Sequence, residues 1–142
     1  MKTWQETTRI FDELARLRAA GRSSVLVTLV RLEGSSYRRP GAKLLVRDDG
    51  SLLGNVSGGC LENDLRERAL AVLRTGQTAW VHYDTGEDEN VVWGLGLGCN
   101  GRIDIFLQAC GAGSPAPVLD DVRRRLDGAS PFVLRTDVDG PR

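Results

Sequence analysis

Apolar residues recur at helical spacing near the start of the chain, at Ile10, Phe11, Leu14 and Leu17. Thr3 and Glu6 precede them with the spacing of a capping box, and Gly21 follows as a stop. Residues 4–20 are therefore predicted to form an amphipathic helix. The period then changes. Ser24-Val25-Leu26-Val27-Thr28-Leu29-Val30 is rich in β-branched residues, the pattern of a strand buried on both faces. Ala42 to Val46 and Ser51 to Val56 read as two further strands joined by the hairpin signal Asp49-Gly50. Helical spacing returns with Leu61, Leu65, Ala69 and Val72, widened by Leu73 and ended by Thr75-Gly76. On that helix Glu62/Arg66 and Asp64/Arg68 form i, i+4 pairs assigned to the solvated side. Thr78 to Tyr83 is a strand. Arg102 to Gln108 alternates, with Ile103, Ile105 and Leu107 on one face and Arg102, Asp104 and Phe106 on the other. These elements predict an α/β fold: one domain with a mixed β-sheet and flanking helices over 4–20 and 60–75.

Three segments fit neither period. Glu33-Gly34-Ser35-Ser36-Tyr37-Arg38-Arg39-Pro40-Gly41 reads as a loop with glycines near both ends, two hydroxyls and two adjacent arginines. Small residues and arginines suit an anionic ligand, phosphate above all; a solvated loop explains the same residues. Asn55-Val56-Ser57-Gly58-Gly59-Cys60-Leu61-Glu62 joins a strand to a helix. Gly58 and Gly59 let backbone approach a ligand, and a thiol at a helix start is expected to be acidified and reactive. A tight turn ending in a small buried cysteine is the competing reading. Trp93-Gly94-Leu95-Gly96-Leu97-Gly98-Cys99-Asn100-Gly101 carries four glycines, which suit backbone that bends sharply or lies against a ligand. A strand follows it, so the G-x-G-x-G run is no dinucleotide fingerprint.

Composition narrows the function. The chain has 142 residues, 41% hydrophobic and 27% charged, with zero formal net charge, which describes a globular protein with no bias toward nucleic acid or acidic membranes. No apolar run is long enough to span a bilayer, and Met1-Lys2-Thr3-Trp4 leads into an amphipathic pattern rather than a signal peptide. Cys60, Cys99 and Cys110 include no CxxC pair, so a reducing, cytoplasmic setting is expected. His82 is the only histidine and reads as structural. The acidic stretch Thr85 to Asn90 lacks the order of a calcium loop and reads as a solvated turn. Cys110 to Pro117 reads as a linker, Val118 to Leu126 as a short helix and Pro131 to Thr136 as a strand. Asp139-Gly140 is a hairpin signal without a return strand, so the chain reads as a fragment of a longer one.

Taken together, Gly34 to Ala42, Gly54 to Glu62 and Gly96 to Ile103 resemble the XdhC/CoxI family, accessory factors for xanthine and carbon monoxide dehydrogenases. The order and spacing match that family's amino-terminal domain over residues 5–109. The resemblance implies a factor that binds the molybdenum cofactor (molybdopterin), aids its sulfuration and inserts it into a molybdenum hydroxylase. It is then a cofactor chaperone rather than a turnover enzyme. It further implies that Cys60, then Cys99, contacts the cofactor near its molybdenum, with Ser57, Gly58, Gly59, Gly98, Ser35, Ser36, Arg38 and Arg39 forming the rest of the site. Expected partners are a xanthine or CO dehydrogenase-type client, a sulfurtransferase and a second copy of the chain. Domain limits follow as 1–109, a linker over 110–117 and the start of a further element over 118–142. The family usually has glycine where this chain has Asn100, a residue that tolerates left-handed backbone. Many members continue into a Rossmann-like domain that is not found here. The rivals are a thiol-dependent transferase or oxidoreductase using Cys60, a metal site of Cys60, Cys99 and His82, and a structural interaction domain.

Overall fold

The computed structural model describes residues 3–35, 39–57, 59, 61–84 and 100–111. Its elements run α1 (Thr3–Ala19), β1 (Ser24–Ser35), β2 (Lys43–Arg47), β3 (Leu52–Gly54), α2 (Glu62–Thr75), β4 (Ala79–Asp84) and β5 (Asn100–Cys110). The strands form one sheet in the order β3-β2-β1-β5-β4, and every described pairing is antiparallel. The α/β class and both flanking helices agree with expectation, whereas the sheet is antiparallel rather than mixed. The reason lies in the connections. The Asp49-Gly50 hairpin reverses β2 into β3 with Gly50 at φ +86°, and β5 enters between β1 and β4 against both.

Strand alternation splits the apolar residues between two cores. Val25, Val27, Leu29, Leu44, Val46, Val81, Ile103, Ile105 and Leu107 pack with Leu61, Leu65, Ala69 and Val72 of the α2 side. Leu26 and Leu45 face the other way, onto Ile10, Phe11, Leu14 and Leu17 of α1. The helices thus cover opposite faces, which is why β1 is apolar at consecutive positions. α2 ends as predicted, with Gly76 at φ 72° donating its N–H to Val72 O at 2.7 Å.

β1 and β5 exceed their predicted lengths. Glu33, Gly34 and Ser35, expected in a loop, extend β1 and pair with Arg102, Gly101 and Asn100. Beyond Thr28, the last β1 residue in register with β2, the β1–β5 ribbon runs on for about 20 Å at strand rise. A register shift between Leu29 and Arg31 makes this extension tolerable. The extra residue, Val30, turns Arg31 toward Asp104 and returns Leu32 to the core beneath α2. At the opposite end Cys110, expected in the linker, is the last residue of β5 and pairs with Ser24. Expected features within 85–99 and 112–142 lie outside the described residues: the acidic turn, most of the glycine-rich segment, the late helix and the late strand.

Candidate functional site

The antiparallel order brings described parts of the first and third unusual segments together at one end of the sheet. β1 ends there at Ser35 and β4 at Asp84, and β5 begins there at Asn100, whereas β3 ends at Gly54, level with Leu44 and Val27 at the base of the ribbon. Ser35 and Asn100 are partners in register, so the first and third segments adjoin through their backbones. The second is drawn to the same end by α2. Asp64, in the first turn of α2, accepts a hydrogen bond from Tyr83 Oη, and Tyr83 pairs with Ile103, two residues from Gly101. Asp64 also accepts from Arg68 Nε at 2.8 Å, as its helical pairing predicts. Burial pulls the Asp64 carboxyl upward, but the hydrogen bonds from Tyr83 and Arg68 outweigh it and hold the group below its ordinary range. Burial, then the carboxylate, pushes the Tyr83 phenol far up, so Tyr83 serves as a neutral donor.

Gly101 is where the ribbon is tightest. Its φ is +120°, and a Cβ placed there would lie 1.8 Å from Glu33 O. Its neighbour Asn100 is an ordinary strand residue, since no described non-glycine residue has positive φ. The left-handed tolerance expected of Asn100 is therefore not used; the unusual backbone sits one residue later.

Around Ser57 the chain departs from expectation most clearly. Glu62, assigned to the solvated side of its helix, is 8% exposed and turned back into the loop. Its carboxylate accepts from Val56 N at 2.8 Å, Ser57 N at 3.1 Å, Gly59 N at 2.9 Å and the Ser57 hydroxyl. Ser57 Oγ in turn accepts Leu61 N at 2.9 Å. The N–H groups expected to face an anionic ligand are thus taken by a carboxylate that already stands at the positive end of α2. A helical wheel cannot reveal this, because the first helical residue can reach backward as a cap. The usable signal was the serine five residues ahead of a first-turn glutamate.

The predicted site residues divide as follows. Ser35 is the last residue of β1, Arg39 is exposed, Ser57 is fully buried and Gly59 is exposed at φ +113°. Ser36, Arg38, Gly58, Cys60, Gly98 and Cys99 lie outside the described residues. Cys110 is a free thiol pushed up by burial.

On the α1 face, His82 Nδ1 lies 2.7 Å from Asp104 Oδ1, and Arg31 Nη1 lies 3.5 Å from Asp104 Oδ2. The His82 ring stacks on Trp80, with centroids 5.9 Å apart and planes 2° from parallel. The single histidine therefore has a defined partner. Leu61 packs in the α2-side core, so the helix start and His82 belong to opposite faces. That separation disfavours a thiol enzyme with His82 as its base. No group of three metal-binding side chains occurs among the described residues.

The described residues define a class: an α/β domain with an antiparallel sheet, in which the strand leading into the Ser/Arg loop pairs with the strand that follows the glycine-rich segment. Residues 17–84 match the XdhC and CoxI family, and that part of the chain belongs to the family. Among its relatives, a probable xanthine dehydrogenase subunit of Bacillus subtilis (strain 168) is 39% identical over 85 residues, covering 60% of this chain and 26% of the relative. The "Molybdenum cofactor insertion chaperone PaoD" of Escherichia coli (strain K12) is 35% identical over 119 residues, covering 83% of this chain and 35% of the relative. A crystal structure of a xanthine dehydrogenase from Bacillus halodurans superposes with a TM-score of 0.63 at 34% identity, covering 82% of this chain and 34% of that one. The chain thus spans about a quarter to a third of the length of these relatives. No helix among the described residues is long and apolar enough to cross a membrane.

Proposed function

We propose that this chain is the cofactor-handling part of a maturation factor that binds the molybdenum cofactor and passes it to a xanthine or CO dehydrogenase-type molybdenum hydroxylase. The observation that carries the reading is the pairing of Ser35 with Asn100, which sets the described ends of two motif segments side by side, in a chain whose relative PaoD is named for molybdenum cofactor insertion. The described residues fit a phosphate-bearing cofactor in one respect and limit it in another. Arg39 is exposed and has no ion-pair partner among the described residues, so it is available to an anion. The N–H groups of Val56, Ser57 and Gly59 are engaged by Glu62, so the phosphate is assigned to Arg38 and Arg39 rather than to the helix start.

In this reading Cys60 and Cys99 meet the molybdenum end of the cofactor, whose metal and sulfur are soft enough for thiolate contact. Gly58, Gly59 and Gly98 give the backbone clearance, and Ser35 and Ser36 line the arginine loop. Ser57 acts through loop shape, because its hydroxyl is internal. A sulfurtransferase, a second copy of the chain and a cytoplasmic setting complete the proposal. So do a domain over 1–109, a linker over 110–117 and a further element starting at 118. The test is co-expression with a molybdenum hydroxylase client, followed by metal and pterin analysis of the purified chain. Wild type retains molybdenum and pterin in equal amounts, while Cys60→Ala and the Arg38→Ala/Arg39→Ala double variant lose both. Retention of neither by the wild type would overturn the reading.

A further inference from the structure

We infer that Glu62 is the positioning residue of the Val56–Leu61 loop, a fixed internal anion that holds the loop in shape for the cofactor. The inference rests on the proposal that this loop belongs to the cofactor site. Its basis is the number and direction of the contacts. One carboxylate, 8% exposed, accepts three backbone N–H groups and one hydroxyl, and that hydroxyl accepts a fourth N–H. The N–H groups of Gly59 and Leu61, on either side of residue 60, both end in this Ser57–Glu62 pair.

Charge is essential to the arrangement. Both carboxylate oxygens act as acceptors: Oε2 for Val56 N and Ser57 N, Oε1 for Gly59 N and the Ser57 hydroxyl. A glutamine has the same shape but offers one acceptor oxygen and one NH₂ donor group, so at least one pair of these donors would face another donor. Buried N–H groups without acceptors are not tolerated, and the loop must rearrange. Gly59 supplies the remaining freedom, since its φ of +113° is strained for any side chain.

The experiment compares Glu62→Gln with Val72→Ala, which loosens the far end of α2 and touches none of these hydrogen bonds. Amide exchange is expected to rise about ten- to a hundredfold at Val56, Ser57 and Gly59 in Glu62→Gln, the equilibrium equivalent of one charge-assisted hydrogen bond. β1–β5 protection should stay as in wild type. Cys60 alkylation by iodoacetamide, followed on its own peptide by mass spectrometry, changes in Glu62→Gln and stays at the wild-type rate in Val72→Ala. Molybdenum retention is lost only in Glu62→Gln. If Glu62→Gln does not fold, Ser57→Ala takes its place, removing one donor to Glu62 and the acceptor of Leu61, with faster exchange expected at Leu61. Wild-type loop exchange and wild-type Cys60 reactivity in the folded variant would overturn the inference. So would an equal change in Val72→Ala. Exchange and alkylation are read without cofactor, so a wild type that retains no molybdenum fails the functional proposal and leaves this one to be judged by those two measurements.

Discussion

Replacing Gly101 with alanine should open the ribbon that joins the arginine loop to the glycine-rich segment at the start of β5. The new Cβ would lie 1.8 Å from Glu33 O and 2.8 Å from Glu33 C, so backbone, not a flexible side chain, would have to move. Holding alanine at φ +120° costs about 1–3 kcal/mol. Separating the strands there releases the Gly34–Gly101 and Ser35–Asn100 pairs, at about 0.5–1.5 kcal/mol per hydrogen bond. The chain takes the less costly route, fraying the tip and leaving the α2-side core closed. A net loss of about 2 kcal/mol is therefore expected. Urea unfolding measures that loss. Hydrogen exchange should show protection disappearing at residues 33–35 and 100–102 and persisting at Val27 and Leu107. Gly21→Ala is the control, because its φ is +75° but no atom lies within 4 Å of the added Cβ. Wild-type exchange at the tip in Gly101→Ala, or a loss no greater than in Gly21→Ala, would refute the close approach of β1 and β5.

Two further predictions concern charge. The Arg16 hydrogen bond lowers the Glu13 carboxyl from 4.5 to about 2, against the upward pull of burial and with help from Arg47. The folded pKa lies below the unfolded one, so this stabilisation is complete above about pH 4.5 and is lost as pH falls toward 2. For a pair this close to solvent it amounts to about 1 kcal/mol, and urea titrations of Glu13→Gln should lack that part of the acid limb. Lys43 is 7% exposed, and among the described residues its ammonium has one hydrogen bond, 3.4 Å to Thr28 Oγ1. Burial lowers its pKa, so wild-type stability should rise as pH climbs from that lowered value toward 10.5. Lys43→Met should remove this rise and stabilise the fold at pH 7 by about 1 kcal/mol; a destabilised variant would contradict it.

The periodicities of the chain were enough to locate both helices and the five strands of the described residues, because each helix has one apolar stripe and each strand a matching alternation. Val25, Leu26 and Val27 announced a strand covered on both sides, and Ile103, Ile105 and Leu107 announced the face beneath α2. The motif residues also announced the family, since their types and spacing survive without the fold. Strand direction and partner lay beyond reach, because pairing joins residues as far apart as Ser35 and Asn100. For the same reason Glu33 to Ser35 looked like loop: their glycine and polar residues favour a turn locally, and only the facing strand holds them extended. Glu62 makes the point at the site. Local spacing offers it Arg66 across a helical turn, whereas the folded loop offers it four donors within hydrogen-bond reach. A carboxylate settles where its acceptor capacity is met, and only the tertiary structure decides where those donors are.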